Sequence, residues 1–397
     1  MKRRKKIAFA LLLLAVLSQI PFLYRHIQVA RLSARIAALN ESRGPSPDPP
    51  YKDLAGVIHV HTALGGHSRA TLEELIEGAK GLDYVVITEH TANLLDTAAL
   101  TLNGTYEGTL FVGGNEVDTH SDDRLLLIPG THEAYLRRNM ETPEFLPPFQ
   151  KEGRLAFVAY PEKRFHSWDT ANVDGIEVFN LSTTAREVNY VLFIFDMLWA
   201  YRNHSDLTLA THLSRPDENL KKYDQAAKTR RLTLFAGSDA HSNIGLHLLG
   251  DETGKKFVGL KFDKYADVFR VVRTHVLLEN GKTLTRETLL EALKQGHCYV
   301  GFDVLGDTKG FSFSAGWKIQ GDEVKLADAP ALNVNVPVDA RIVLLKDGHQ
   351  VSEATSARTL MFTPKEPGSY RVEVFLDSLG KPFDRLPWIM SNPIYVR

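Results

Sequence analysis

Six short apolar runs recur along the first two thirds of the chain, and they constrain the fold more than any other feature. They are Val57-Ile58-His59-Val60-His61, Tyr84-Val85-Val86-Ile87-Thr88, Leu110-Phe111-Val112, Leu155-Ala156-Phe157-Val158, Gly175-Ile176-Glu177-Val178-Phe179 and Leu232-Thr233-Leu234-Phe235. Continuous apolar runs of this length suit strands buried on both faces. Longer stretches of helical character lie between them. The first of these opens on Thr71-Leu72-Glu73-Glu74, a capping box that predicts a helix to about Lys80. Strands that alternate with helices predict parallel βα units and an α/β barrel-like domain. The chain has 397 residues, 44% of them hydrophobic, enough for a large core and for two folded units.

Four of the runs lead into residues that can bind a metal. His59 and His61 are two apart, so on a strand both rings point to one face. His67 follows in a loop with Gly65 and Gly66, and Glu89-His90 closes the second run. Glu116 follows Gly113 and Gly114, and Asp239 and His241 stand in Gly237-Ser238-Asp239-Ala240-His241. In an α/β barrel the carboxyl ends of the strands meet on one rim, so these groups converge without long loops. Each has a bland reading on its own. With fifteen histidines, one His-x-His pair arises readily by chance. His90 alone reads as a hydrogen-bonded core residue, Glu116 as a solvated strand end and Asp239 as a helix cap. Their order and shared place at strand ends predict a metal site.

His59-Val60-His61-Thr62, His67, Ile87-Thr88-Glu89-His90, Gly114-Asn115-Glu116 and Gly237-Ser238-Asp239-Ala240-His241 together resemble the PHP (polymerase and histidinol phosphatase) family pattern, in the same order. The resemblance spans about residues 53–303. It includes Gly175-Ile176-Glu177-Val178-Phe179-Asn180 as a family-like strand, and residues 289–300 as the closing helix and its sequel. It implies a distorted (β/α)7-type barrel and up to three metals. The layout is also similar to that of extracytoplasmic, carbaryl-hydrolase-like members with a C-terminal β domain. By resemblance, His59, His61, Glu116 and Asp239 would hold one metal, and His67, His90 and His241 a second. The sequence departs from the pattern twice. Ala159-Tyr160-Pro161 stands where many members have Ala-His-Pro, and Arg124 stands where many have a histidine. Both missing ligands serve the same metal, so two divalent ions are expected, with a third position weak or empty. His120, His132 and His166 do not match in spacing.

Imidazole with carboxylate suits Zn, Mn or Fe. Such ions lower the pKa of water and generate a nucleophilic hydroxide. The expected activity is therefore metal-dependent hydrolysis, with a phosphoesterase as the first reading. A carboxylic or carbamic ester hydrolase is the alternative within enzymes, and a non-catalytic metal-retaining binding protein lies outside them. Glu116 and Asp239 are the expected catalytic carboxylates. Glu89 is expected to orient His90 or accept a proton. Arg124, Tyr160 and Arg164 are candidates for binding a substrate anion.

The remaining segments set the context. Met1-Lys2-Arg3-Arg4-Lys5-Lys6 precedes a mostly apolar stretch to Tyr24, read as a transmembrane signal anchor over residues 1–24. The positive-inside rule would then place the rest outside the cytoplasm, membrane-anchored, or secreted if the segment is cleaved. Val29, Leu32, Ile36 and Leu39 predict an amphipathic helix that lies on the membrane, pairs with a second copy or serves as a stalk. A Pro-rich linker completes residues 25–50. Residues 51–308 form the expected catalytic domain. Residues 309–397 carry short β runs and turn signals, including Asp347-Gly348, and predict an immunoglobulin-like sandwich. The apolar stretch from Tyr190 to Tyr201 predicts a buried helix or a lid over a hydrophobic pocket. Net charge is -1, which gives no electrostatic reason to expect nucleic acid as a partner. A single cysteine, Cys298, excludes an intrachain disulfide.

Overall fold

The computed structural model describes residues 2–44, 50–186, 189–250 and 256–397. The Pro-rich stretch 45–49 lies outside the described residues. Seven strands close a barrel: β1 (Tyr51–Val60), β2 (Tyr84–His90), β3 (Thr109–Asp118), β4 (Arg124–Ile128), β5 (Leu155–Val158), β6 (Gly175–Asn180) and β7 (Thr233–Ala240). β1–β2, β2–β3, β5–β6 and β6–β7 pair in parallel, and β7 returns to β1 with Ile58 opposite Gly237. The runs are apolar throughout because both faces are covered. Tyr84 and Val86 pack into the barrel interior beside Phe157 and Phe235, while Val85 and Ile87 pack outward under the helices. The helix Leu72–Gly78 starts on the expected capping box of Thr71 and Glu74.

One expectation fails in detail. β4 runs antiparallel to both β3 and β5, so the barrel does not repeat a βα unit seven times. Residues 119–123 are too few for the crossover that a parallel partner requires, and they close a hairpin instead. The reversal matters for the site, because it brings the first residue of β4, Arg124, to the rim where the other strands end.

The N-terminal region is two helices, α1 (Lys2–Ser18) and α2 (Ile20–Glu41). The stretch Arg3–Glu41 is long and apolar enough to cross a membrane, and its most apolar window is only 6% buried. From sequence, the amphipathic face is left to lie on a membrane, pair with a second copy or serve as a stalk. Val29, Leu32 and Ile36 are instead buried in this chain's own core, where α2 packs on α3 (Tyr190–Ala200) and α4 (Ser205–Ala210).

The C-terminal strands are largely antiparallel, and they join the barrel sheet. The strand Arg273–Glu279 pairs with β1, Cys298–Gly301 pairs with it in turn, and Ile389–Ser391 adds to that with Tyr299 opposite Ser391. The sandwich expected for residues 309–397 is thus a strand array continuous with the barrel. Its long hairpin turns at Asp347 and Gly348, both left-handed, as the Asp-Gly pair predicts. Asn392 bonds the backbone of Leu234 and Cys298, and buried Arg371 forms a two-point pair with Asp224 of a barrel helix at 2.6 and 2.7 Å.

Candidate metal centre

β1 delivers His59 and His61 to the rim, but not by simple alternation. The register against both neighbours shifts between Ile58 and Val60, and His59 sits at φ +67°. Asp239 at +46° and Tyr160 at +52° are also left-handed. Each such non-glycine residue costs on the order of 1–3 kcal/mol. Three of them on one rim mark a site that the surrounding packing forces into shape.

The centre of the rim holds His59, His61, Glu116 and Asp239, all buried. Nε2 of His59, both ring nitrogens of His61, Oε1 of Glu116 and Oδ1 of Asp239 have no hydrogen-bond partner. Buried polar atoms are rarely left without a hydrogen bond, and all of these except His61 Nδ1 face one another. His59 Nε2 lies 3.5 Å from Glu116 Oε1 and 3.6 Å from Asp239 Oδ1. His61 Nε2 lies 3.4 Å from both Glu116 Oε2 and Asp239 Oδ1. Two ligands each about 2.1 Å from one ion at a tetrahedral angle stand about 3.4 Å apart. The spacing and the mixed imidazole–carboxylate chemistry therefore fit a divalent metal.

Electrostatics agree with that fit. Burial works against the charge on Glu116, but His59, His61 and His90 hold its pKa at about 2. The Asp239 carboxyl is likewise lowered by His59 and His61 against burial. Burial lowers His59, yet Glu177, Asp239 and Glu116 raise its pKa well above the ordinary value. The cluster thus gathers positive charge around its carboxylates, a role that a metal ion would take over on displacing the proton. Burial pushes the pKa of His90 and of His241 to about 4, which leaves neutral rings able to bind metal.

The other expected ligands ring this centre. The His241 ring stacks on that of His61 at 4.5 Å, and its Nδ1 contacts the Asp239 carbonyl at 2.7 Å. His90 Nε2 is 3.1 Å from Glu116 Oε2. His67 is exposed at the mouth, its ring 4.3 Å from that of His90. Arg124 pairs with Asp118 at 2.7 and 2.8 Å and reaches Glu116 Oε1 at 3.4 Å. The Tyr160 hydroxyl donates to Asp239 Oδ2 at 2.6 Å, and burial above all keeps the phenol protonated. Arg164 bonds Asp118 and Asp122 at 3.0 and 2.7 Å. His120 stands apart, exposed beside Glu141.

Glu89 has a structural partner that the sequence did not indicate. Its carboxylate accepts from the Thr62 backbone at 3.0 Å and from the Thr62 hydroxyl. It therefore braces the loop after β1. Gly65 packs against it, with a Cβ there falling 2.5 Å from Glu89 Oε2.

Glu177 had been read only as part of a strand. It is fully buried on β6 and contacts His59 Nδ1 at 2.6 Å, which turns Nε2 inward. Gly237 makes room for it, since a Cβ there would fall 1.6 Å from Glu177 Oε1. The signal was present: a carboxylate inside an apolar run needs a buried partner.

Two cavities meet at Asp239, His241 and His67. One, of about 630 Å³, is polar and includes Arg124, Tyr160, Lys163 and Arg164 in its lining. The other, of about 350 Å³, has Leu181, Phe193, Leu209 and Phe262 in its wall.

No family model matches the chain, and no curated protein matches it. Among solved structures, PsfC from Pseudomonas syringae is similar over 64% of this chain and 94% of its own, at TM-score 0.38 and 15% identity. The lesion-specific endonuclease PfuEndoQ from Pyrococcus furiosus is similar over 61% of this chain and 56% of its own, at TM-score 0.34 and 14% identity. Endonuclease Q in complex with a 27-mer duplex substrate is similar over 61% of this chain and 57% of its own, at TM-score 0.32 and 16% identity. At such TM-scores the likeness is too loose to argue from, and the site rests on its own geometry. The chain is PHP-like in the order of its motifs, and the structures similar to it include a two-domain protein containing a predicted PHP-like metal-dependent phosphoesterase from Bacteroides vulgatus, covering 89% of this chain and 99% of that one at TM-score 0.37 and 14% identity.

Proposed function

We propose that the chain is a metal-dependent hydrolase acting on phosphate esters, anchored to a membrane by α1 with its barrel outside the cytoplasm. The observation that carries the catalytic reading is the set of buried atoms on His59, His61, Glu116 and Asp239 that make no hydrogen bond. These four residues would hold one divalent ion of the Zn, Mn or Fe class, and His67, His90 and His241 a second. Bound ions would lower the pKa of water toward neutrality and neutralise charge on a phosphoryl oxygen.

The protein's own groups divide the remaining work. Glu116 spans both ligand sets, with Oε1 beside His59 and Oε2 beside His61 and His90. Arg124 sets a fixed positive charge against Glu116, on the flank where the family pattern has ligands for a third metal. Tyr160 holds Oδ2 of Asp239, so that Oδ1 faces the cluster. Arg124 and Arg164 line the polar cavity and offer donors to phosphate oxygens, which favours phosphate over neutral carboxyl and carbamic esters.

The test is hydrolysis by metal-loaded protein of a panel of phosphate, carboxyl and carbamic esters. Phosphate esters should be turned over, and Asp239→Ala should lose nearly all of that activity while keeping its circular dichroism. Unchanged turnover in the variant would remove the assignment.

A further inference from the structure

The apolar cavity is not needed to hydrolyse a phosphate ester, yet it opens on the same Asp239 and His241 as the polar one. One of its walls is Phe193, on α3. The same helix carries Val191, Leu192 and Trp199, which are 62, 41 and 38% exposed. α3 is pinned to a defined point on the N-terminal helices. Phe195 packs on Phe22 with ring centroids 5.0 Å apart, Arg25 pairs with Asp196 at 2.8 Å, and Trp199 donates to Gln19 at 3.3 Å.

That point can be placed against a bilayer. A hydrocarbon core about 30 Å thick takes about 20 helical residues. Counted from the end of the basic run at Lys6, a span would end near His26. Residues 19–26, the ones that hold α3, are then the last two turns of the span, next to the far interface. Ile20, Leu23, Tyr24 and Ile27 are exposed and continue the apolar surface of the span. Tryptophan beside arginine is the usual composition at that depth.

We propose that α3 lies in the membrane interface, and that the apolar cavity receives the hydrocarbon chain of a bilayer phosphate ester whose head group enters the polar cavity. The substrate class is an amphiphilic phosphomonoester such as phosphatidic acid. Water adds across its P–O bond, giving inorganic phosphate and the free alcohol. This substrate class rests on the anchored-hydrolase reading above, but the binding geometry can be tested separately.

The experiment places the full, metal-loaded chain in phosphatidylcholine vesicles. The vesicles contain phosphatidic acid with a photoreactive diazirine near the end of one acyl chain. Adducts are mapped by mass spectrometry, and phosphate release is measured in parallel against water-soluble glycerol 3-phosphate. The proposal expects adducts at Phe193 or Leu209 in the cavity and at Val191 or Leu192 on the outer face of α3. It also expects phosphatidic acid to be preferred over glycerol 3-phosphate by at least about tenfold, since even a few buried methylenes supply that much. Adducts confined to α1 and α2 overturn it. Equal turnover of the two esters overturns it as well and leaves the hydrolase reading intact. Adducts in the cavity with neither ester hydrolysed sustain the lipid site and reject the hydrolase reading.

Discussion

At the residue scale, the site depends on groups that touch no substrate. Glu177 fixes the direction of the His59 ring, and Gly237 leaves the space in which Glu177 sits. Removing an outer partner of a metal-binding histidine costs about 10- to 100-fold in metal affinity. Glu177→Ala is expected to weaken metal binding by that factor in a chelator competition, with the fold retained. Gly237→Ala should do the same by displacing the carboxylate. A second buried network makes a prediction about pH. His275 lies between Asp53 and Asp303 at 2.7 and 3.1 Å, stacked on Tyr299, with Arg273 also on Asp303. Burial opposes its charge, but Asp303 and Asp53 raise its pKa from 6.5 to about 10. Its folded value lies above its unfolded one, so the stability it supplies is complete below pH 6.5 and is lost as pH rises through about 10. Asp303 has the opposite sign. Burial opposes ionisation and His275 wins, taking its pKa from 3.8 to about 2, so its contribution is present above pH 3.8 and lost as pH falls through about 2. The melting temperature should therefore decline from neutral pH toward pH 10, and a His275→Gln variant, less stable at neutral pH, should show a flatter alkaline decline.

At the scale of elements, periodicity identifies a buried face without saying what covers it. Val29, Leu32 and Ile36 mark an apolar stripe in the sequence, but only the fold shows that α3 and α4 are its partners. Three such side chains contribute about 1.5–3 kcal/mol each when buried. A fragment beginning at residue 44 should thus be less stable than one beginning at residue 25 by on the order of 5 kcal/mol, read from denaturant midpoints. The barrel strands were legible because strands buried on both faces are apolar throughout. The reversal of β4 was not, because Leu125, Leu126 and Leu127 read alike in either direction. The candidate ligands His59, His61, Glu116 and Asp239 were legible because each lies at the rim end of a strand or close to it. The contact of Glu89 with Thr62 was not legible, because adjacency in sequence points to His90, whereas successive strand residues face opposite ways.

At the scale of the whole molecule, the C-terminal strands and the barrel share one sheet and one buried ion network. Arg371 bridges Asp224 of the barrel and Glu373 of its own strand, and Arg215 adds two bonds to Glu373 at 2.6 and 2.8 Å. Removing one partner of a buried pair costs about 3–5 kcal/mol, because the other charge is left without its counterion. Asp224→Ala should lower stability by that amount, and scanning calorimetry of the wild-type fragment from residue 25 should give one cooperative transition across barrel and C-terminal strands. Two well-separated transitions would contradict a shared core.

The central claim is that the strand ends converge to hold metal. It is tested most directly by elemental analysis of that fragment, wild type and Asp239→Ala, after loading with Zn, Mn or Fe and removal of excess ion. The account predicts about two equivalents per wild-type chain, with a marked loss in the variant. A wild-type chain that retains no metal after loading would contradict it and leave the cluster a polar rim.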